Sequence, residues 1–284
     1  MGYENLGSYG VWRGYKDATP DVAVGIEQLG YGTLWLGGCR RAALDFVDPL
    51  LSATTTLTVA TGIADIWANP VDEFAASFHR IERRFPGRFL LGIGAGHPEA
   101  HQAYTRPYRA LVDYLDALDA AGVPRERRAL AALGPKVLEL SAARTLGAHP
   151  YLTPPAHTRF ARDVLGPDAL LAPEQKVVLE TDPARAREIG RPVVDRPYLH
   201  LRNYVANLHR LGYTDADIAD GGSDALIDDL VAHGDADAIA ARLRAHLGAG
   251  ANHVAIQVLP QDGDPLPALR ALADVLQIGC AQPS

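Results

Sequence analysis

The sequence predicts an α/β protein folded as a (β/α)8 barrel, and three observations predict it. Eight short apolar or β-branched runs can be marked off, each followed by helical material. No internal repeat, low-complexity tract or linker divides the chain, so a single domain over residues 1–284 is expected. The unusual residues fall just past the carboxyl ends of those runs, where barrels and open parallel sheets both hold ligands. A doubly wound open sheet accounts for the same alternation.

In chain order, Ser8 to Trp12 is the first run. Pro20 and Asp21 open a helix that Gly30 can stop, and Tyr31 to Leu36 forms the second strand, ending in Gly37-Gly38. Asp48-Pro49 starts a short helix, and Leu57 to Thr61 is a β-branched third strand. Pro70 leads a helix with Phe74, Phe78 and Ile81 on one stripe. Phe89 to Ile93 is apolar and too short for a helix; Pro86-Gly87 before it and Gly94-Ala95-Gly96 after it make it the fourth strand. Pro107 to Ala121 places Leu111, Tyr114, Leu115 and Leu118 on one helical face and ends at Gly122.

Arg128 to Leu133 is the fifth strand, followed by Gly134-Pro135 with proline suited to a first helical position. Gly147 to Leu152 is the sixth, with Thr153-Pro154 reading as a cap and first helical residue. Lys176 to Glu180 is the seventh. A helical insertion over about 182–248 separates it from the eighth, Asn252 to Leu259. Pro265 to Ile278 is a closing amphipathic helix carrying Leu266, Leu269, Leu272 and Leu276.

Composition removes several classes of function. A net charge of −7 with no basic tract argues against nucleic acid or an anionic membrane surface as partner. No run approaches a membrane span, and the start at Met1 has no charged and apolar leader, so no signal peptide is read. Cys39 and Cys280 stand far apart without a CxxC, which disfavours disulfides and structural zinc and makes a cytoplasmic protein the expectation.

The glycines at 92, 94 and 96 call for a backbone that turns sharply or comes close to a ligand. They are not a dinucleotide fingerprint: that spacing would need glycine at His97, or glycine or alanine at Glu99. Nor does a GxxxxGK[ST] loop or a GxSxG elbow occur. His97-Pro98-Glu99-Ala100-His101 is not HExxH, and its proline breaks the helix that would align two imidazoles, so no metal is expected.

Taken together, the third- and fourth-strand motifs resemble the luciferase-like superfamily, specifically the F420-dependent oxidoreductases of mycobacteria and related actinobacteria. The residues carrying the resemblance are Leu57-Thr58-Val59-Ala60-Thr61-Gly62-Ile63 with Asn69-Pro70, then Phe85 to Gly96. Leu133-Gly134-Pro135-Lys136, Gly147-Ala148-His149 and Ala249 to Val254 fit the same pattern. The resemblance implies a luciferase-like barrel that binds the deazaflavin coenzyme F420 at the carboxyl ends of its strands, and a homodimer. It implies a non-proline cis peptide at Gly62-Ile63, with Ile63 as an apolar bulge under the ring. Thr61, Gly62, Ile63, Gly94, Gly96, His97, Gly134 and Pro135 would then be the cofactor-binding residues, the last two opening a helix toward the cofactor phosphate. Arg106, Arg109 or Arg159 would meet the anionic tail. Trp35, Trp67 and Tyr151 are candidates for lining a substrate pocket, and core packing accounts for each of them nearly as well.

One departure bears on the chemistry. Related dehydrogenases carry an acidic residue and a histidine after the second strand and a glutamate after the fourth-strand glycines; here the places hold Leu36-Gly37-Gly38-Cys39 and His97. His97 is therefore the catalytic candidate, since an imidazole suits proton transfer near neutral pH. The activity expected is hydride transfer between reduced F420 and a small organic substrate. The alternatives are an FMN-dependent luciferase-like monooxygenase and a non-catalytic F420- or flavin-binding protein.

Overall fold

The computed structural model describes residues 3–96 and 106–279. Strands β1 (Tyr9–Gly14), β2 (Thr33–Gly37), β3 (Thr58–Thr61), β4 (Ala64–Asp65), β5 (Phe89–Gly94), β6 (Arg128–Leu130) and β7 (Gly147–Ala148) come first. They are followed by β8 (Leu170–Leu171), β9 (Glu174–Val178), β10 (Val231–His233) and β11 (Val254–Val258). All pair in parallel, in the order β10-β9-β11-β1-β2-β3-β5-β6-β7-β8, with the short β4 on β5.

Only Ala172 and Pro173 separate β8 from β9, and this bent pair closes the ring. On one side, the Ala172 and Glu174 amides donate to the carbonyls of Ala148 and Pro150 at 2.9 and 2.8 Å. On the other, Ala255 to Val258 run alongside Glu174 to Val177. With the bent pair counted once, and with the short β4 on β5 and the outer β10 on β9 set aside, the ring has the eight strands of a (β/α)8 barrel, as the periodicity predicts.

Alternation along the strands sorts the core into two shells. Leu34, Leu36, Val59, Phe89, Leu91 and Ile93 point outward and pack with Phe74 and Phe78 of helix Val71–Arg84 and Leu115 of helix Pro107–Ala120. Trp35, Ala60, Leu90, Ala129, Leu170 and Ala255 form a separate buried cluster inside the ring. Both faces of each strand are thus covered, which is why these runs read as continuously apolar rather than alternating. The alanines inside make room for Trp35, whose ring fills the barrel interior.

Several sequence expectations shift, and the fifth and sixth strands end early, at Leu130 and Ala148. The seventh strand lies at Glu174–Val178 rather than 176–180, because Pro173 ends the preceding bend. The helix after the sixth strand begins at Pro155 with Pro154 as its cap residue, one position later than expected. Between β9 and β11 lie helices Pro183–Asp195, Arg202–Arg210, Asp215–Ile218, Asp224–Leu230 and Ala236–Gly248, but Val231–His233 is a strand paired with Lys176–Val178 of β9. Among the described residues, no helix is long and apolar enough to cross a membrane.

Candidate functional site

A cavity of about 710 Å³ opens at the carboxyl ends of the strands, in the size range of small-molecule sites. Its lining comes from the last residues of β1 and β2 and from residues just after β2, β3, β5, β6 and β7, with a further wall from the segment 193–204.

The floor is built around Gly62-Ile63, whose peptide bond is cis, as the resemblance implies. The Trp12 indole Nε1 donates to the Gly62 carbonyl at 2.8 Å, and the Gly62 amide donates to Leu36 O at 2.7 Å. The Trp12 ring lies directly against Gly37: a β-carbon there would come within 1.9 Å of it. At Gly94 a β-carbon would stand 3.2 Å from the Ile63 side chain, so that glycine seats Ile63 from behind. Gly38 and Gly96 line the cavity with φ of +72° and +60°, a region glycine enters without steric cost.

His149 lies beneath. Its ring stacks on Trp35 at 4.1 Å and 6°, and its Nδ1–H donates to Ala172 O at 2.7 Å. Nε2 is left as an acceptor with no hydrogen-bond partner among the described residues, and a β-carbon on Gly62 would meet it at 3.1 Å. Burial pushes the His149 pKa down to about 3, so the imidazole is neutral.

The second wall is aromatic. Trp12, Tyr151, Tyr198 and Tyr204 follow one another with ring centroids 5.1, 5.4 and 4.9 Å apart. Behind them Glu174 and Lys176 are completely buried, with Lys176 Nζ 3.2 Å from Glu174 Oε1. The same ammonium donates to Gln257 Oε1 at 3.2 Å and stands 3.9 Å from the Tyr151 ring centroid. Tyr151 donates its hydroxyl to that Gln257 oxygen at 2.9 Å, and Leu152 N donates to Glu174 Oε2 at 2.9 Å. Burial pushes the Glu174 carboxyl up and the Lys176 amine down, each held back by the opposite charge of the other.

Of the expected cofactor-binding residues, Gly62, Ile63, Gly96 and Gly134 line the cavity. Three sit behind it. Thr61 is fully buried and its hydroxyl donates to Gly92 O at 2.7 Å, Gly94 backs Ile63, and Pro135 begins helix Pro135–Arg144 beyond the lining Gly134. His97 lies outside the described residues. Tyr151 lines the cavity, whereas Trp35 and Trp67 do not. Trp35 fills the barrel interior, donating from Nε1 to His253 Nε2 at 3.0 Å, and Trp67 donates to Ala95 O at 2.7 Å. Arg109 pairs with Asp113 at 2.8 Å, and Arg159 donates to Gly248 O at 3.1 Å, so both have partners within the chain.

Sequence reasoning missed Trp12, Arg40, Asp65, Lys136 and Tyr198. Asp65 is the one carboxylate lining the cavity among the described residues; its Oδ1 accepts from Trp67 N at 3.0 Å, and Arg40 stands 4.0 Å away. Its place just after the third strand was a usable signal. After β2 the cavity meets Cys39, whose buried thiol donates to Leu36 O at 3.1 Å, so no acid–base pair stands there. Among the described residues no group of three metal-ligating side chains occurs.

Residues 6–253 match the family model described as luciferase-like monooxygenase. Similar solved structures include an F420-dependent secondary alcohol dehydrogenase in complex with an F420–acetone adduct, at TM-score 0.73 and 13% identity over 96% of this chain and 98% of that one. A coenzyme F420-dependent tetrahydromethanopterin reductase from Methanopyrus kandleri superposes at 0.70 with 14% identity, covering 95% of this chain and 98% of that one. The oxygenating constituent of 3,6-diketocamphane monooxygenase from Pseudomonas putida, in complex with FMN, also reaches 0.70, with 13% identity over 95% and 97%. At such identities the likeness establishes the fold. No match was found among curated protein sequences.

Proposed function

The chain belongs to the luciferase-like monooxygenase family, and from that footing we propose that it is an F420-dependent oxidoreductase acting on a small organic substrate. The observation that carries this reading is the cavity floor, where Ile63 stands among the backbone-only positions Gly38, Gly62 and Gly96. A flat ring system can approach that floor closely, because a β-carbon at Gly38 would extend into open space and none is there to obstruct it. When bound, F420 supplies hydride transfer, and the protein supplies orientation and proton delivery.

This chain's own residues have distinct parts in that reading. Trp12 and Leu36 fix the Gly62 peptide plane, and Gly94 keeps Ile63 seated. Gly134 and Lys136, at the start of the helix after β6, bring a helix N-terminus and an ammonium to the cavity, which favours an anionic phosphate. His97, next in sequence to the lining Gly96, is assigned proton delivery, since no acid–base pair follows β2.

A second reading, an FMN-dependent monooxygenase, is favoured by the FMN-bound structural neighbour; a cofactor-binding protein without catalysis is the third. Separate titrations with F420 and FMN, followed by quenching of ligand fluorescence, distinguish them. The expected result is saturable F420 binding, unchanged in His97→Ala while hydride transfer slows. Tight FMN binding with no response to F420 would replace the first reading with the second, and F420 binding without turnover on any acceptor would favour the third.

A further inference from the structure

The aromatic wall has more order than packing alone requires. Trp12, Tyr151, Tyr198 and Tyr204 come from three separate parts of the chain, yet they form one continuous series and all line the cavity. Successive rings are tilted by 49°, 44° and 66°, so the series presents both ring faces and ring edges. Its first member is pinned to the floor by the bond from Trp12 to Gly62 O. Its second is pinned from behind by Gln257 and by the Lys176 ammonium.

The Tyr151 hydroxyl is spent on Gln257, so what this residue offers the cavity is its ring rather than its donor. Rigid tyrosine and tryptophan rings supply contact area with little ordering cost, and they favour partners whose own π-systems can stack or meet edge to face. A saturated ring of the same carbon skeleton gains area burial there but not the quadrupole contact.

We propose that the wall from Trp12 to Tyr204 is the substrate subsite, and that it selects planar conjugated carbonyl compounds over saturated ones of equal size. The inference deepens the proposed function and rests on it for the identity of the cavity, since a conjugated carbonyl is the kind of acceptor a hydride donor can reduce. Selection by the wall is a binding property, however, and is measured without turnover.

The test uses the full chain, with and without saturating F420, and calorimetric titration with 1-tetralone and 1-decalone. The two share a fused bicyclic ketone skeleton, and 1-decalone is the more hydrophobic. Area burial alone therefore favours 1-decalone or neither. The wall predicts the reverse, with 1-tetralone bound about tenfold more tightly. Tyr198→Leu should abolish that preference, and Tyr198→Phe, which keeps the ring, should retain it. Thermal melts of each variant identify any loss of fold, and Tyr151→Leu serves in place of Tyr198→Leu should the latter not fold. Equal or tighter binding of 1-decalone, or a preference that survives loss of the ring in a folded variant, would overturn the proposal. Failure of the F420 reading shows separately, as an absent F420 response in a protein that still discriminates the two ketones.

Discussion

The floor of the cavity and its aromatic wall meet at Trp12 but are made in different ways. The floor uses positions with little or no side chain, Gly37, Gly38, Gly62 and Gly96, around a single projecting Ile63. Beneath it lie neutral imidazoles and the Trp35 ring. The wall uses some of the largest side chains in the protein, held over a buried ion pair. Backbone shape thus defines one side of the site and side-chain bulk the other. The two should therefore fail differently.

Acid should act on the floor, with the largest effect. Burial pushes His149 down to about 3 and His253 down to about 4, from an ordinary value of 6.5. Because both folded values are depressed, the unfolded chain binds more protons between roughly pH 6.5 and pH 4, and stability rises with pH across that window. Each imidazole contributes a slope of about 1.4 kcal/mol per pH unit, so the pair should remove roughly 5 kcal/mol between pH 6.5 and 4.5, and His157 and His246, pushed by burial down to about 4 and about 3, add to that loss. Urea unfolding midpoints measured across that range should be flat above about pH 7 and fall steeply below 6. A flat profile down to pH 5 would mean that these imidazoles are not buried neutral.

The wall should respond instead to loss of one partner of its ion pair. Lys176→Met leaves the Glu174 carboxylate buried without its counter-charge, and a loss of about 3–5 kcal/mol is expected at neutral pH. The double variant Glu174→Gln/Lys176→Met removes both charges and should recover most of that loss. Urea denaturation of the two variants measures the difference. If Lys176→Met is as stable as the parent, the pair does not support the wall.

The same contrast explains what could be read from the sequence. The floor was legible because glycines past a strand end have few other reasons to be there, and Gly62-Ile63 sits in a local motif of contiguous residues. The barrel count was legible because every strand is covered on both faces and so reads as an apolar run. The wall was not. Glu174 and Gln175 fall outside the strand expected at Lys176 to Glu180, but they are the first part of β9, with the charges of Glu174 and Lys176 turned into a buried polar network. Tyr198 and Tyr204 sit more than forty residues along the chain from Tyr151, within a region whose helical periodicity says nothing about which face meets the cavity. Of the two places open to Trp35, pocket and core, the structure takes the core: the alanines Ala60, Ala129 and Ala255, which give it room inside the barrel, come from three other strands, and no single stretch of sequence reveals that they meet.

The smallest effect separates support of the floor from contact with a ligand. The resemblance implies Thr61 as a cofactor-binding residue, but its hydroxyl is directed at Gly92 O, 2.7 Å away on β5, and its side chain is fully buried. A β-carbon on Gly92 would itself come within 1.9 Å of the Thr61 carbonyl, so the two strands approach too closely there for either to turn outward. Thr61→Val keeps the volume and removes only the donor, and should cost about 1 kcal/mol in urea unfolding. Because the lost bond ties β3 to β5 beneath the floor, F420 titration of the variant should match the parent within about twofold, well below the tenfold that 1.4 kcal/mol of lost contact would give. A tenfold weaker F420 response without loss of stability would return Thr61 to the ligand and place the floor one residue nearer to β3.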